Sequence, residues 1–164
     1  MSDMMSQERD GSAAPPSGAL VGALIVDGDG RVMVQRRSRS RRLFPGAWDV
    51  VGGAVEPGED ELAALHREVR EETGWEVQEV VAWVADLDVD LDGTPARERV
   101  ALVRADGPGY PVPTLEEGKH DAWAWVDTES PELTENRRLG FGDHLHDVVV
   151  AGLRWSAERD PADR

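Results

Sequence analysis

The stretch GAVEPGEDELAALHREVREETGW, residues 53–75, decides the fold. Its middle is rich in helix-forming residues, with a Pro-Gly pair in front and a glycine behind. Asp60 is a suitable N-cap and Gly74 a suitable C-terminal stop, so the pattern predicts a helix from about Asp60 to Thr73. The stretch is therefore a loop, a helix and a second loop.

This helix carries an apolar stripe and an unusual concentration of acids. At about 100° per residue, the stripe consists of Leu62, Leu65, Val69 and Thr73. Glu68 and Glu72 lie beside the stripe, and Glu71 lies further round. Like charges three or four residues apart repel by roughly 0.2–0.5 kcal/mol per pair, so the cluster alone is unfavourable. The acids are either a solvated surface or the place where a cation binds.

Hydrolysis of a pyrophosphate bond is a reaction that would use such a cluster. Water must attack a phosphorus atom that anionic oxygens shield, and a divalent cation both neutralises those oxygens and acidifies the water. Mg²⁺ prefers oxygen ligands and is commonly held by one or two carboxylates together with substrate phosphate. Glu68 and Glu72, one helical turn apart, present such a pair, and Glu71 widens the site.

The spacing of the whole stretch resembles the Nudix box of the Nudix (MutT-like) hydrolases. The matching positions are Gly53, Glu59, Arg67, Glu68, Val69, Glu71, Glu72 and Gly74. Two residues depart from the family pattern: Trp75 replaces a small aliphatic residue, and Val51 replaces a proline that many members carry. The resemblance implies an α/β fold, a Nudix-type α/β/α sandwich with a mixed β-sheet and a loop–helix–loop catalytic motif.

The resemblance also implies a set of metal ligands. Glu68 and Glu72 would be the principal ligands of Mg²⁺, or of Mn²⁺ in its place. Glu71 would be a further ligand, or the base that takes a proton from the attacking water. The backbone carbonyl of Gly52 is a common extra ligand in the family, and Glu59 would complete the acidic wall.

Two catalytic roles remain. The resemblance implies that Arg67 would orient the glutamates, and the reaction also needs a general base. In many family members the base comes from a later loop instead of the helix. Here TLEEGKHDAW, residues 114–123, offers Glu116, Glu117 and Asp121, and Glu117 is our catalytic candidate. The sequence leaves the choice between Glu71 and this loop open.

Substrate contacts are expected from an arginine run and from one tryptophan. In QRRSRSRR, residues 35–42, Arg37 with its neighbour Arg36 occupies the strand end that often contacts substrate phosphate in the family. The other arginines of the run read as solvated loop residues. Most of the six tryptophans are expected in the core, but Trp75 ends the motif and is the candidate to stack on a nucleobase.

The rest of the chain predicts strands around the motif. LVGALIV (20–26), DGDG (27–30) and VMVQRR (32–37) predict a β-hairpin that opens the fold. A short strand, AWDVVGGAV, precedes the motif. Further strands are expected at about 77–91, 98–105 and 121–127, and a final helix at about 142–154.

DLDVDLDG, residues 86–93, matches the opening of a calcium-binding EF-hand loop. The match begins at Asp88, with Asp90, Asp92 and Gly93 following it. The twelfth position from Asp88, however, is Arg99 instead of glutamate, and apolar residues alternate with the acids as in a strand. An edge strand with an acidic outer face is the better interpretation. The three histidines His66, His144 and His146 read as structural or exposed.

Composition bounds the organisation and the partners. The 164 residues suit one domain, with a disordered leader at 1–17, a Nudix domain at 18–155 and a flexible charged tail at 156–164. A net charge of −15 disfavours nucleic acid and anionic membranes as partners. The absence of cysteine and of an apolar signal segment predicts a cytoplasmic protein. The expected partner is a small-molecule nucleotide, and the family analogy allows a homodimer.

These observations predict a Mg²⁺-dependent hydrolase that cleaves the pyrophosphate linkage of a nucleoside diphosphate derivative, such as a nucleoside triphosphate. One alternative is a non-catalytic Nudix domain that senses a nucleotide, in which the glutamates are typically lost. The other is an enzyme like isopentenyl diphosphate isomerase, which uses a catalytic cysteine that this chain does not have.

Overall fold

Along the chain, three strands precede the motif helix and three follow it in the computed structural model, which describes residues 18–105 and 112–158. Within these residues the strands are β1 (Ala19–Ile25), β2 (Val32–Arg37), β3 (Trp48–Ala54), β4 (Val77–Leu91), β5 (Thr94–Ala105) and β6 (His120–Val126). The helices are α1 (Glu61–Thr73), α2 (Pro131–Arg138) and α3 (His144–Glu158). The predicted leader at 1–17 lies outside the described residues.

The strands form one mixed sheet in the order β4-β5-β1-β3-β2-β6. β1 and β5 are parallel, and the other neighbouring strands are antiparallel. The predicted mixed sheet is confirmed. β3, which leads directly into the motif, is central, so the sheet fixes the position of the loop before α1.

The predicted hairpin of β1 and β2 is wrong. The predicted turn does form, because the Asp27 side chain accepts hydrogen bonds from the backbone of Asp29 and Arg31. The two strands are bridged at Val26 and Val32, and β3 then separates them by pairing with both. Turn chemistry specifies a chain reversal, whereas β3 is apolar on both faces and therefore belongs inside the sheet.

Two hydrophobic cores lie on the two faces of the sheet, which confirms the α/β/α sandwich. The core under α1 contains Leu65 and Val69, packed with Val51 of β3. The opposite core contains Leu145 of α3 and Val50 of β3. β3 thus contributes alternate side chains to both layers.

One position of the predicted apolar stripe of α1 is wrong. Leu62 is 48% exposed, and Ala64 is buried in its place. The buried arc of α1 also includes Glu72, so the helix is rotated toward its acids. This rotation directs part of the acidic cluster at the sheet.

The acidic segment at residues 86–93 forms the end of edge strand β4 and its turn into β5, as predicted. Asp86 and Asp88 both pair with Arg97 across the hairpin. Asp92 and Gly93 form the turn with positive φ angles of 53° and 94°. These acids are accounted for by sheet structure.

The final helix is longer than predicted. It runs as far as Glu158, the last described residue, so residues 156–158 of the predicted tail are helical, and residues 159–164 lie outside the described residues. Ala157 and Glu158 are good helix formers, and the first strong helix breaker, Pro161, comes after them. No helix among the described residues is long and apolar enough to cross a membrane.

Gly52→Ala is expected to destabilise the protein by about 2 kcal/mol, because overpacking a close contact costs 1–3 kcal/mol. A Cβ atom at Gly52 would lie 2.1 Å from the carbonyl oxygen of Val21, a backbone atom of the paired strand β1. Denaturant unfolding measures the loss. Gly28→Ala is the matched control, because a Cβ there meets no atom within 4 Å; equal losses in both variants would contradict the explanation.

Candidate active site

Capping interactions fix both ends of α1 and so hold its acidic side chains in place. Asp60 caps the helix by accepting a hydrogen bond of 2.7 Å from the backbone of Ala63. Gly74 ends it with a φ of 78°, and its N–H donates to the Arg70 carbonyl at 2.9 Å. The predicted loop–helix–loop is confirmed.

Glu72 is the most enclosed acid of the cluster, at 4% exposed. Its Oε1 accepts a hydrogen bond of 2.8 Å from the backbone N–H of Gly52. Its Oε2 lies 3.5 Å from Nδ1 of His120 on β6, an atom that has no hydrogen-bond partner among the described residues. The side chain of Gln35 donates to the Glu72 carbonyl at 2.9 Å. Glu72 is therefore held against the centre of the sheet.

The Glu68 carboxylate lies over Gly53, the residue after Gly52 in β3. A Cβ atom at Gly53 would lie only 2.5 Å from Oε1 of Glu68. The missing side chain of Gly53 thus creates the space that the Glu68 carboxylate fills. The two adjacent glycines of β3 therefore each contact one glutamate: Gly52 donates its N–H to Glu72, and Gly53 leaves room for the Glu68 carboxylate.

Arg67 links the remaining acids. Its guanidinium donates to both oxygens of Glu59, at 2.8 and 2.9 Å, and to Glu68 at 2.9 Å. It also donates to Glu71 at 3.2 Å and to the Ala54 carbonyl at 2.9 Å. These contacts are the ones that the predicted orienting role of Arg67 requires. Since Arg67 engages both oxygens of Glu59, Glu59 supports the arginine, and its predicted role as a metal ligand is not favoured.

The two enclosed glutamates carry unfavourable charge. Burial raises the pKa of Glu72 well above its ordinary value, the Gly52 N–H opposes this, and Glu68 adds repulsion. Burial also raises the pKa of Glu68, although Arg67 acts in the opposite direction. A cation beside both carboxylates would reverse these shifts.

The donor chemistry fits a hard divalent cation. Among the described residues, no three His, Asp or Glu side chains converge to hold an ion by themselves. Mg²⁺ does not need three, because it commonly takes one or two carboxylates and completes its shell with water and phosphate. Glu72 and Glu68 supply that pair, next to Gly52 and Gly53 of β3.

The loop before β6 approaches the acids through Glu116. Glu116 raises the pKa of Glu72 by repulsion, and it pairs with Lys119 at 3.0 Å. Glu117 is exposed in the turn that follows. Asp121 pairs with Arg36 at 2.7 Å. The structure therefore brings Glu116 near Glu72, whereas the assignment of Glu117 as the general base stays a prediction.

Of the two arginines predicted to bind substrate, Arg37 lines the cleft and Arg36 does not. Arg37 lines a cleft beside the acids and donates to the Leu43 carbonyl at 2.8 Å. Burial lowers the pKa of Arg37, with Arg41 adding to this effect. Arg36 is bound to Asp121 and lies over the Trp48 ring, 5.6 Å from its centre.

The prediction for Trp75 is wrong. The ring is 2% exposed and stacks on Trp125 with the ring centres 5.9 Å apart. A ring enclosed in the core cannot present its face to a nucleobase. Its large side chain fills the core below α1, where a small aliphatic residue would leave a cavity.

The cleft has a volume of about 590 Å³. Gly52, Gly53, Arg37 and Arg41 line it near α1. Asp49, Glu98 and His144 also line it. A volume of this size is typical of small-molecule sites.

The comparisons with known proteins agree with this geometry. The model of the NUDIX domain matches residues 16–144. The chain belongs to the Nudix family. The nucleoside triphosphatase NudI of Escherichia fergusonii is 38% identical over 85 residues, which cover 48% of this chain and 59% of that protein. NudI of Escherichia coli K12 is 37% identical over 67 residues, covering 40% and 48%. The chain thus spans about half the length of the curated relatives it matches.

A solved Nudix structure has the same architecture. The NUDIX hydrolase from Nitrosomonas europaea superposes with a TM-score of 0.66 at 20% identity, covering 89% of this chain and 93% of that one. At this identity the likeness shows the fold alone.

Sequence reasoning missed part of this Nudix cleft. Asp49 comes from β3, Glu98 from β5 and His144 from α3, where Nε2 of His144 lies 2.9 Å from Oε1 of Glu98. Arg41, interpreted as a solvated loop residue, also lines the cleft. A polar Asp49 inside an apolar strand was the one available signal; the other residues meet only through the strand order.

Asp49 is expected to make the stability of the metal-free Nudix domain depend on pH. Burial raises the pKa of Asp49 from 3.8 to about 6, Glu98 adds repulsion, and His144 and Arg37 oppose the shift. The folded state thus binds this proton more tightly, so its contribution is complete below 3.8 and is lost as pH rises to about 6. Denaturant unfolding in EDTA across this range measures the decline. Asp49→Asn should remove that component, and an unchanged slope would contradict it.

Proposed function

We propose that the chain is a divalent-cation-dependent hydrolase that cleaves the pyrophosphate linkage of a nucleoside triphosphate or a related nucleoside diphosphate derivative. The observation that carries the proposal is the enclosed carboxylate of Glu72, held by the Gly52 N–H beside a cleft that Arg37 lines. Arg37 and Arg41 line this cleft together with Gly52 and Gly53, the two glycines next to the carboxylates of Glu72 and Glu68. Mg²⁺, with Mn²⁺ as a substitute, and a cytoplasmic location belong to the same proposal.

The chain's own residues divide the work of this reaction. Glu68 and Glu72 would hold the cation, with the Gly52 carbonyl as a further ligand. The cation, when bound, neutralises phosphate oxygens and lowers the pKa of the attacking water. Arg67 keeps Glu68 and Glu71 oriented through its hydrogen bonds.

Substrate phosphates would bind the guanidinium of Arg37, whose fixed geometry suits phosphate oxygens. The water oxygen bonds to phosphorus as the bridging P–O bond breaks. A carboxylate oxygen of Glu71 or Glu116 accepts the proton of the water. From a nucleoside triphosphate, the products are a nucleoside monophosphate and pyrophosphate.

The relatives support the choice of a nucleoside triphosphate as substrate. The relative from Escherichia fergusonii is named as a nucleoside triphosphatase, and its match covers 48% of this chain. The complete glutamate set argues against a domain that only senses nucleotides. The two readings differ in whether a bound nucleotide is consumed.

A product-release assay tests the proposal. The purified protein is incubated with Mg²⁺ or Mn²⁺ and with nucleoside triphosphates, ADP-ribose, nucleotide sugars or dinucleoside polyphosphates, and the products are separated by chromatography. We expect a monophosphate and pyrophosphate from at least one nucleoside triphosphate, and no turnover in EDTA. Tight nucleotide binding without turnover of any compound would support the sensing domain and overturn the proposal.

A further inference from the structure

The loop between β2 and β3, residues 38–47, carries positive charge without acidic partners. It contains Arg39, Arg41 and Arg42 and no Asp or Glu, and Arg37 directly precedes it. None of these four arginines forms an ion pair with another described residue. Most arginines elsewhere in the described chain do pair with an acid: Arg31, Arg36, Arg67, Arg70, Arg97, Arg99, Arg104 and Arg137. In a chain with 33 acidic and 18 basic residues, unpaired arginines kept together indicate an anionic ligand.

The backbone holds this arginine loop in one conformation. The Arg37 N–H donates to the Ala47 carbonyl at 2.8 Å, which joins the two ends of the loop. The Ser38 N–H donates to the Lys119 carbonyl at 2.9 Å and so ties the loop to the residue before β6. The Arg41 N–H donates to the Ser38 carbonyl at 3.1 Å. The position of Arg41 is therefore set by the fold.

Arg37 and Arg41 bring two positive charges to the same cleft, which both of them line. Arg37 donates through Nε to the Leu43 carbonyl, and its two terminal nitrogens donate to no described residue. Burial lowers the pKa of Arg37 and the charge of Arg41 adds to this effect, whereas Asp49 and Glu72 oppose it. The two guanidinium groups thus repel each other. An anion bound by both would offset that repulsion.

Arg41 lies near the residues that surround Glu72. His120 lies opposite Arg37 in the pairing of β2 with β6, and its Nδ1 is 3.5 Å from Oε2 of Glu72. Burial lowers the pKa of His120 to about 4, and the charges of Arg37 and Arg41 add to the shift. Because electrostatic effects fall off with distance, Arg41 is near the residue that contacts Glu72. The two arginines thus adjoin the proposed cation site, where the phosphates of a substrate would lie.

We propose that Arg37 and Arg41 form a two-arginine clamp that binds the terminal phosphates of a nucleoside triphosphate, and that Arg41 is the residue that selects triphosphates. A guanidinium presents its donors in a planar fork that matches two phosphate oxygens, so two guanidinium groups suit a chain of phosphates. A nucleoside diphosphate lacks the third phosphate, and a nucleotide sugar has an uncharged group in its place. The inference rests on the proposed function, because the clamp acts on the phosphates beyond the bond that is cleaved.

Steady-state kinetics with Mg²⁺ on three sets of substrates test the clamp. The sets are ATP, ADP and ADP-ribose; GTP, GDP and GDP-mannose; and UTP, UDP and UDP-glucose. The base is constant within each set, so a difference within a set reports on the group beyond the second phosphate. In every set that is turned over, we expect kcat/KM for the triphosphate to exceed that for both other members by about tenfold or more, the range for one charge-assisted hydrogen bond.

Arg41→Gln removes the charge and the fork but keeps a polar side chain. We expect it to lower kcat/KM for the triphosphate by about tenfold or more and to leave kcat/KM for the nucleotide sugar nearly unchanged. Arg42→Gln is the matched control, because Arg42 is exposed in the same loop and does not line the cleft. It should keep the full preference for the triphosphate.

Arg41→Lys is a second variant, which keeps the charge without the planar fork and should retain only part of the preference. The Arg41 side chain donates to no described residue, so both Arg41 variants should fold, and thermal unfolding checks this. Calorimetry with inorganic pyrophosphate and Mg²⁺ measures the clamp without turnover. We expect Arg41→Gln to bind pyrophosphate about tenfold or more weakly than Arg42→Gln does.

The outcomes separate the inference from the proposed function. Equal kcat/KM for the triphosphate and the nucleotide sugar, or equal losses in Arg41→Gln and Arg42→Gln, would overturn the clamp and leave the hydrolase intact. No turnover of any nucleotide, with pyrophosphate binding that still depends on Arg41, would overturn the hydrolase and support the clamp. The absence of both turnover and pyrophosphate binding would overturn both.

Discussion

Replacing Glu72 with glutamine is expected to lower kcat by about a thousandfold, the range seen when a group that stabilises transition-state charge is lost. The amide is nearly the same size as the carboxylate but carries no charge to hold a divalent cation. It also removes the acid nearest to both the Gly52 N–H and His120. The measurement is kcat at saturating nucleotide and Mg²⁺, together with Mn²⁺ affinity by electron paramagnetic resonance.

The same substitution should leave the metal-free fold as stable as before, or more so. The amide oxygen of glutamine can still accept the Gly52 N–H. The charge that is lost is one that burial and Glu68 already disfavour, as the raised pKa of Glu72 records. Denaturant unfolding in EDTA should therefore give an unfolding free energy at or above that of the unsubstituted protein.

Glu129→Gln is the matched control for this experiment. Glu129 is exposed in the turn before α2, far in sequence from the motif helix. The same chemical change there should leave both kcat and Mn²⁺ affinity unchanged. If Glu72→Gln turned over nucleotide within tenfold of the control, Glu72 would not be the principal ligand of the cation.

The sequence predicted those parts of the fold that local signals specify. The helix α1 and its ends followed from Asp60 and Gly74, and the acidic edge strand followed from alternation. The pairing of β1 and β2 did not follow, because a turn signal is local whereas strand order depends on which strand is apolar on both faces. That strand is β3, and its two-sided burial becomes evident only once both helical layers are in place.

In the candidate site, too, the residues that one helix places together were predictable, whereas those that the strand order brings together were not. Glu68, Glu72 and Arg67 lie on one helix, so spacing alone predicted that they share an arc. Glu116 could not be distinguished from its neighbour, since a loop has no period that fixes which side chain faces inward. The grouping of Asp49, Glu98 and His144 along the cleft could not be predicted, because these residues come from β3, β5 and α3.

Replacing Arg67 with alanine is expected to cost about 3 kcal/mol of unfolding free energy at neutral pH, the lower end of the range for breaking an enclosed ion pair. Arg67 is 20% exposed on its side chain and donates to Glu59, Glu68 and Glu71. Its loss leaves Glu68 enclosed without its cationic partner. Denaturant unfolding measures the stability, and we expect kcat to fall about a hundredfold as well, because ligand orientation is worth 10–100-fold.

Arg70→Ala separates this effect from the loss of any arginine on the same helix. The Arg70 side chain is 57% exposed and pairs with Glu76 at the surface, so its removal should leave the unfolding free energy almost unchanged.

The stabilities of the Arg67→Ala and Arg70→Ala variants should also depend differently on pH. Arg67 lowers the pKa of Glu59, so the stability it provides through that carboxylate is present above the ordinary value of 4.5 and is lost as pH falls. The difference between the variants should therefore narrow in acidic buffer, when Glu59 and Glu68 take up protons and no longer need a cation. If the two arginines cost the same at every pH, the acids of α1 are held in place by the sheet alone, through the backbone of Gly52 and the space over Gly53.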